Sequence, residues 1–94
     1  MNTDLTIFFK GISDPNRVKI MTLIKDRELS VSQIVTHFQM KQPSISHHLN
    51  VLKNAGIVTS RKDGKEIFYS LNLCCINDCC MNFKEKFNDR GDQG

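Results

Sequence analysis

Two closely spaced helix starts between Ser30 and Leu52 constrain this chain more than any other feature. Ser30-Val31-Ser32-Gln33 has the spacing of a capping box: the serine accepts from the third helical N–H, and the glutamine reaches back to the cap's own N–H. A helix from about Val31 to Gln39 follows, with Ile34, Val35 and Phe38 inward. The second start is Pro43, whose fixed φ and missing N–H suit a first helical turn. It opens the stretch QPSISHHLNVL, which sets Ile45, Leu49 and Leu52 at i, i+4 and i+7 on one side. So tight a connection between two short helices makes a helix-turn-helix, whose second member enters the groove of a duplex.

At about 100° per residue, His48 falls near the buried side of this second helix, whereas Ser44 and His47 point away from it. The neighbouring histidines therefore have different expected roles, His47 at DNA and His48 at the domain boundary, hydrogen-bonded to backbone. Ser44 and Ser46 can donate to phosphate or base edges, and Gln42 carries the amide suited to an adenine edge or a phosphate. The plain alternative for each is a cap or a solvated polar group. Ser44 and His48 could also be paired as nucleophile and base, but no orienting carboxylate or oxyanion hole accompanies them, so no enzyme is expected.

The flanking segments fit around this pair. Leu5, Phe8, Phe9 and Ile12 recur at helical spacing, giving a first helix over about residues 4–10 with Gly11 near its end. That helix is apolar enough for a partner subunit to cover one face. Ser13-Asp14-Pro15 starts a second helix to about Lys25, with Ile20, Met21 and Ile24 inward and Arg17 set either to pair with Asp14 or to lie in solvent.

Gly56 is placed for a left-handed C-cap. From Ile57 to Leu71 the period changes to two around Asp63-Gly64, a hairpin signal, with Arg61, Lys62 and Lys65 near its tip. A basic ribbon beside a helix-turn-helix is a wing for phosphate or minor-groove contact. Asn72 caps a last helix over about 73–88, leaving 89–94 as a frayed polar tail. The expected fold is mainly α with a small β-hairpin, a winged helix-turn-helix of five helices plus wing, forming one domain over residues 1–94.

Thirteen Lys+Arg against ten Asp+Glu give a net charge of +3 and a pI of about 8.8, which permits nucleic-acid binding without demonstrating it. No apolar run reaches the roughly 18 residues a membrane helix needs, and the first residues do not read as a leader, so a cytoplasmic protein with no membrane partner is expected. A chain this short buries a modest core, which favours oligomerisation.

All four cysteines lie between Cys74 and Cys80, too close together to staple distant parts of a fold. On a helical wheel Leu73, Ile76, Cys80, Phe83 and Phe87 share a stripe expected to face the core or a partner. Cys79 lies at its edge, Cys75 beside Cys79, and Cys74 points elsewhere. Cys75 and Cys79, at i and i+4, can share a soft ion, with a third ligand from Cys74, Cys80 or another subunit. Arsenite, zinc, cadmium and copper(I) suit such thiolates. Oxidation of the neighbouring thiols and simple packing are the other two readings.

These residues resemble the ArsR/SmtB winged-helix repressors. The likeness runs through ISDPNR (12–17), ELSVSQI (28–34), PSISHHL (43–49), LKNAGIV (52–58), and Gly64-Lys65 to Tyr69-Ser70-Leu71. In its short length the chain looks closest to autorepressors of the sporulation-delaying toxin operon type. The resemblance implies a homodimer joined by the first and last helices, two recognition helices in successive major grooves of a palindromic DNA operator, and repression relieved by a signal.

Two familiar metal sites of the family are not matched. Ser30 and Ser32 stand where a Cys-x-Cys would, and the last helix has no histidine. Two other readings remain open at this point: a thiol-based metal-binding or redox protein that uses the helix-turn-helix as scaffold, and a winged-helix dimer used for protein contact.

Overall fold

A computed structural model describes residues 5–93, with side-chain environments for 5–87. The elements are α1 (Leu5–Gly11), α2 (Pro15–Leu23), β1 (Leu29–Ser30), α3 (Val31–Val35), α4 (Gln42–Asn54), β2 (Val58–Asp63), β3 (Glu66–Leu71) and α5 (Leu73–Gln93). This is the expected winged helix-turn-helix with five helices. Ile20, Ile24, Ile34, Ile45, Leu49, Leu52 and Ile57 are buried at its centre, so the apolar stripe of α4 lies against residues from α2, α3 and the start of the wing.

Local chemistry sets most helix starts. Asp14 caps α2 by accepting from Asn16 N–H at 2.7 Å, with Pro15 in the first turn. Burial acts to raise the Asp14 carboxyl, but the backbone N–H groups of Asn16 and Arg17 outweigh it and hold the group below its ordinary value. The capping box forms in full: Gln33 N–H donates to Ser30 Oγ at 3.3 Å, and Ser30 N–H donates to Gln33 Oε1 at 2.9 Å. Asn72 caps α5, accepting from Cys75 N–H at 3.2 Å.

Several boundaries differ from those expected. α3 stops at Val35 rather than Gln39, because the chain turns there with His37 and Phe38 N–H bonding three residues back. Lys19 holds that turn, donating to His37 C=O at 2.9 Å with its ammonium 4.6 Å from the Phe38 ring centroid. α2 ends at Leu23, short of Lys25, and α5 continues to Gln93, past the expected end at Asn88 and into the stretch expected to fray. The expected first helical residue, Asp4, lies outside the described residues.

The wing has three strands, not two. Leu29 and Ser30, which carry no alternating pattern of their own, pair with Tyr69 and Phe68, so β3 is central in an antiparallel order β1-β3-β2. The hairpin register pairs Asp63 with Glu66, which makes Gly64-Lys65 the two-residue loop in place of Asp63-Gly64. Gly64 has φ +64° and Lys65 does not share a positive φ, as in a type II′ turn.

The end of α4 is a Schellman motif. Gly56 adopts φ +78°, its N–H bonds Lys53 C=O at 2.9 Å, and Ile57 N–H bonds Leu52 C=O at 2.9 Å. Leu52 and Ile57 are both fully buried, completing the hydrophobic contact of the motif. A side chain at position 56 would need the left-handed conformation and would place its Cβ 3.4 Å from Cys75 Sγ. Gly56→Ala is therefore expected to destabilise the domain by about 1–2 kcal/mol, seen as a lower urea midpoint with an unchanged m-value.

Candidate nucleic-acid interface

The recognition surface follows from how α4 is seated. Ile45, Leu49 and Leu52 are fully buried, so the opposite side of the helix must face outward. Gln42, Ser44 and His47 are exposed, and Ser46 is half-buried. Asn50 is exposed as well, one turn beyond Ser46 and His47, and carries the amide that can bond an adenine edge. Sequence reasoning missed Asn50, although its i+3 spacing from His47 was available.

The wing tip and the start of α4 meet. Gln42, Lys65, Ser32, Val31, Glu66 and Ile67 line one open groove of about 240 Å³, which brings two expected DNA contacts onto a shared surface. Lys62 is exposed on β2, and among the described residues neither Lys62 nor Lys65 is in an ion pair.

Arg61 is differently placed. Its Nε donates to Glu28 Oε1 at 2.9 Å and Oε2 at 3.0 Å, Nη2 bonds Glu28 Oε1, and Nη1 lies 3.5 Å from Asp63 Oδ2. The guanidinium also sits 5.0 Å from the centroid of Phe68, its cross-strand neighbour. The Arg61 hydrogen bonds lower the Glu28 carboxyl below its ordinary value. The side chain grouped by sequence with the phosphate contacts thus ties β2 to the residue before β1.

The histidines separate as expected in exposure but not in partner. His47 is exposed and His48 half-buried, with ring centroids 5.8 Å apart. His48 bonds a side chain, Arg17 Nη1 at 3.2 Å from Nδ1, instead of backbone. Arg17 correspondingly forms no ion pair with Asp14. Its guanidinium lies against the end of α1, donating to Gly11 C=O and Lys10 C=O.

The comparisons with known proteins agree with this geometry. The model of the bacterial regulatory protein, arsR family, matches residues 14–60. The chain is 43% identical over 84 residues to the transcriptional repressor SdpR of Bacillus subtilis, covering 89% of this chain and 92% of that protein. It is 37% identical over 79 residues to the arsenical resistance operon repressor of Staphylococcus aureus, covering 84% and 76%. An ArsR-like transcriptional regulator from Rhodococcus sp. RHA1 superposes with a TM-score of 0.83 at 29% identity, covering 95% of this chain and 83% of that one.

The chain belongs to the ArsR family. It is a DNA-binding transcriptional repressor and not an enzyme, in line with its relatives. No helix among the described residues is long and apolar enough to cross a membrane.

In this ArsR-family chain the serines at the Cys-x-Cys positions are structural. Ser30 Oγ and Ser32 Oγ are 3.1 Å apart, and Ser32 donates to Glu66 Oε1 at 3.2 Å, linking α3 to the wing. Within the single chain the cysteines of α5 divide by burial. Cys79, not Cys80, is the buried one, and Cys75 and Ile76 pack beside it, whereas Cys74 and Cys80 are exposed. The helix is rotated so that Leu73, Cys80, Phe83 and Phe87 face out of the single chain. Cys75 Sγ reaches toward Ala55 C=O at 3.9 Å, against the end of α4.

Burial, reinforced by Cys75, pushes the Cys79 thiol up to about 11 from an ordinary 9.0. Between those two values the unfolded chain has lost the proton while the folded one keeps it. Folding stability should therefore fall as pH rises from about 9 to 11, and that part of the loss should vanish in Cys79→Ala, as read by denaturant titrations across the window. Alkylation of native protein near pH 8 should label the exposed Cys74 well before the buried Cys79, with peptide mass spectrometry giving the order.

Proposed function

We propose that this repressor acts as a homodimer on a palindromic operator, each protomer placing α4 in a major groove and its wing tip on the flanking backbone. One observation carries the reading: α4 buries one face completely and leaves Gln42, Ser44, His47 and Asn50 exposed, with Gln42 in one groove with Lys65. A helix used only as scaffold, whether for thiol chemistry or for protein contact, has no need of this free polar face next to an unpaired lysine. In this reading Ser46 and His47 read bases, Lys62 and Lys65 hold phosphates, and Arg61 braces the wing through Glu28. The site of action is the cytoplasm, where the DNA is.

Dimerisation is supported by α1 and α5. Phe9, Phe83 and Phe87 form an edge-to-face series, with centroids 5.0 and 4.9 Å apart, that joins the two helices and remains exposed in the single chain. Ile7, Leu73 and Met81 are exposed apolar side chains on the same two helices. A second copy related by a two-fold axis would cover such a surface, and a self-complementary patch generates the two-fold symmetry that a palindrome requires.

The donors do not fit a resident metal within one protomer. No group of three His, Cys, Asp or Glu that could hold an ion occurs among the described residues, and the Cys79 thiol is buried with its proton held. Relatives named for arsenical, cadmium and mercury resistance make arsenite, cadmium, zinc and copper(I) useful probes of the thiols, but repression is not routed through them here. Reduced protein should keep its operator affinity when these ions are added. A fall in affinity that tracks thiol occupancy would instead establish α5 as a sensor.

The deciding experiment is a footprint on the DNA upstream of the protein's own gene, followed by anisotropy titrations. Wild-type protein should protect a symmetric site and elute as a dimer, and Phe83→Glu should shift it towards monomer in light scattering. Ser46→Ala with His47→Ala should reduce discrimination against mismatched sites by about 1–3 kcal/mol per lost base contact. Lys62→Ala should flatten the salt slope by roughly 0.9 for each phosphate contact removed. A protein that binds all duplexes equally would sink the operator reading.

A further inference from the structure

Arg17 touches three elements at once. From α2 its Nε donates to Gly11 C=O at 2.6 Å and its Nη2 to Lys10 C=O at 3.2 Å, both at the end of α1, while Nη1 meets His48 Nδ1 on α4. A guanidinium has five N–H donors and no acceptor. The Arg17–His48 hydrogen bond therefore exists only if Nδ1 is the acceptor, which leaves the imidazole neutral and puts its one proton on Nε2.

The carbonyl that Arg17 Nε meets belongs to a packed residue. Gly11 is buried, and an added Cβ there would come within 2.8 Å of Ile57 Cδ1, so the end of α1 is seated against the start of the wing. The Gly11 carbonyl that Arg17 Nε meets is thus held where α1 packs against Ala55 and Ile57, at the end of α4.

We infer that Arg17 is a positioning residue for DNA binding: it locks His48 as the Nε2–H tautomer, and that donor hydrogen-bonds a non-bridging oxygen of a backbone phosphate at the edge of the α4 footprint. The inference rests on the repressor reading above. A half-buried donor-only ring on the recognition helix, one turn from the exposed Ser44, has the chemistry of a phosphate contact. It cannot accept from a base amino group, so it anchors without reading. Being neutral, it adds no counterion release, which distinguishes it from the lysines of the wing.

The tautomer is read on free protein by long-range proton–nitrogen NMR of the imidazoles at neutral pH. Wild type should show the Nε2–H pattern at His48, and Arg17→Met a mixture of tautomers. An Nδ1–H or mixed pattern in wild type overturns the inference even if DNA binds tightly.

Two substitutions then separate the ring's edges. His48→Asn keeps an amide oxygen near the Nδ1 position for Arg17 but has no donor at Nε2. It should weaken binding roughly tenfold or more, as a lost hydrogen bond to a charged group does, equally for operator and random DNA and with an unchanged salt slope. His48→Gln places an amide N–H near the Nε2 position and should recover most of the affinity. Thermal melts followed by circular dichroism check that each variant is folded. Wild-type affinity in His48→Asn, or a flattened salt slope, overturns the phosphate contact. If wild type shows the Nε2–H tautomer and still binds no DNA, the repressor reading fails along with the phosphate contact, while the Arg17 lock stands.

Discussion

Burial of Ile45, Leu49 and Leu52 is the contact on which the rest of this structure depends. Each is fully removed from solvent, and burying a branched aliphatic side chain contributes about 1.5–3 kcal/mol, so together they outweigh any single polar link in the domain. They fix the rotation of α4 about its own axis. Ser44, His47 and Asn50 face outward because these three face in.

The ends of α4 are fixed by other means. Its start has no side-chain cap hydrogen bond and lies in the groove with Ser32 and Lys65, so the first turn remains open to a ligand. Its end is closed by the Gly56 motif and by Asn72, whose amide donates to Gly56 C=O at 3.0 Å and whose N–H bonds Ile57 C=O at 2.8 Å. Through Asn72 the first turn of α5 is attached directly to the end of the recognition helix.

Polar links serve position more than stability here. The Glu28–Arg61 pair is exposed, and such pairs contribute little in water, yet with the guanidinium over Phe68 it reaches across β3 and ties β2 to the residue before β1. Arg17 acts in the same way on α1 and α4, with its bonds to Gly11 and His48 part-buried. The α5 thiols show the opposite relation: Cys79 behaves as a small apolar side chain, and its raised proton affinity is a consequence of that packing.

What the sequence determined by itself was the local grammar: the capping box at Ser30, the caps at Asp14 and Asn72, Pro43 and Gly56 bounding α4, and the alternating wing. These signals act through backbone groups a few residues apart, so they are legible without knowing the fold. Tertiary structure decided what depends on distant partners. β1 is a strand only because β3 offers an edge, and α3 ends early in a turn whose His37 carbonyl accepts from Lys19 of α2. Arg17 and Arg61 point to His48 and Glu28, 31 and 33 residues away. The rotation that buries Cys79 instead of Cys80 was likewise set by packing against the body of the domain, since a helical wheel gives relative angles and not which side faces in.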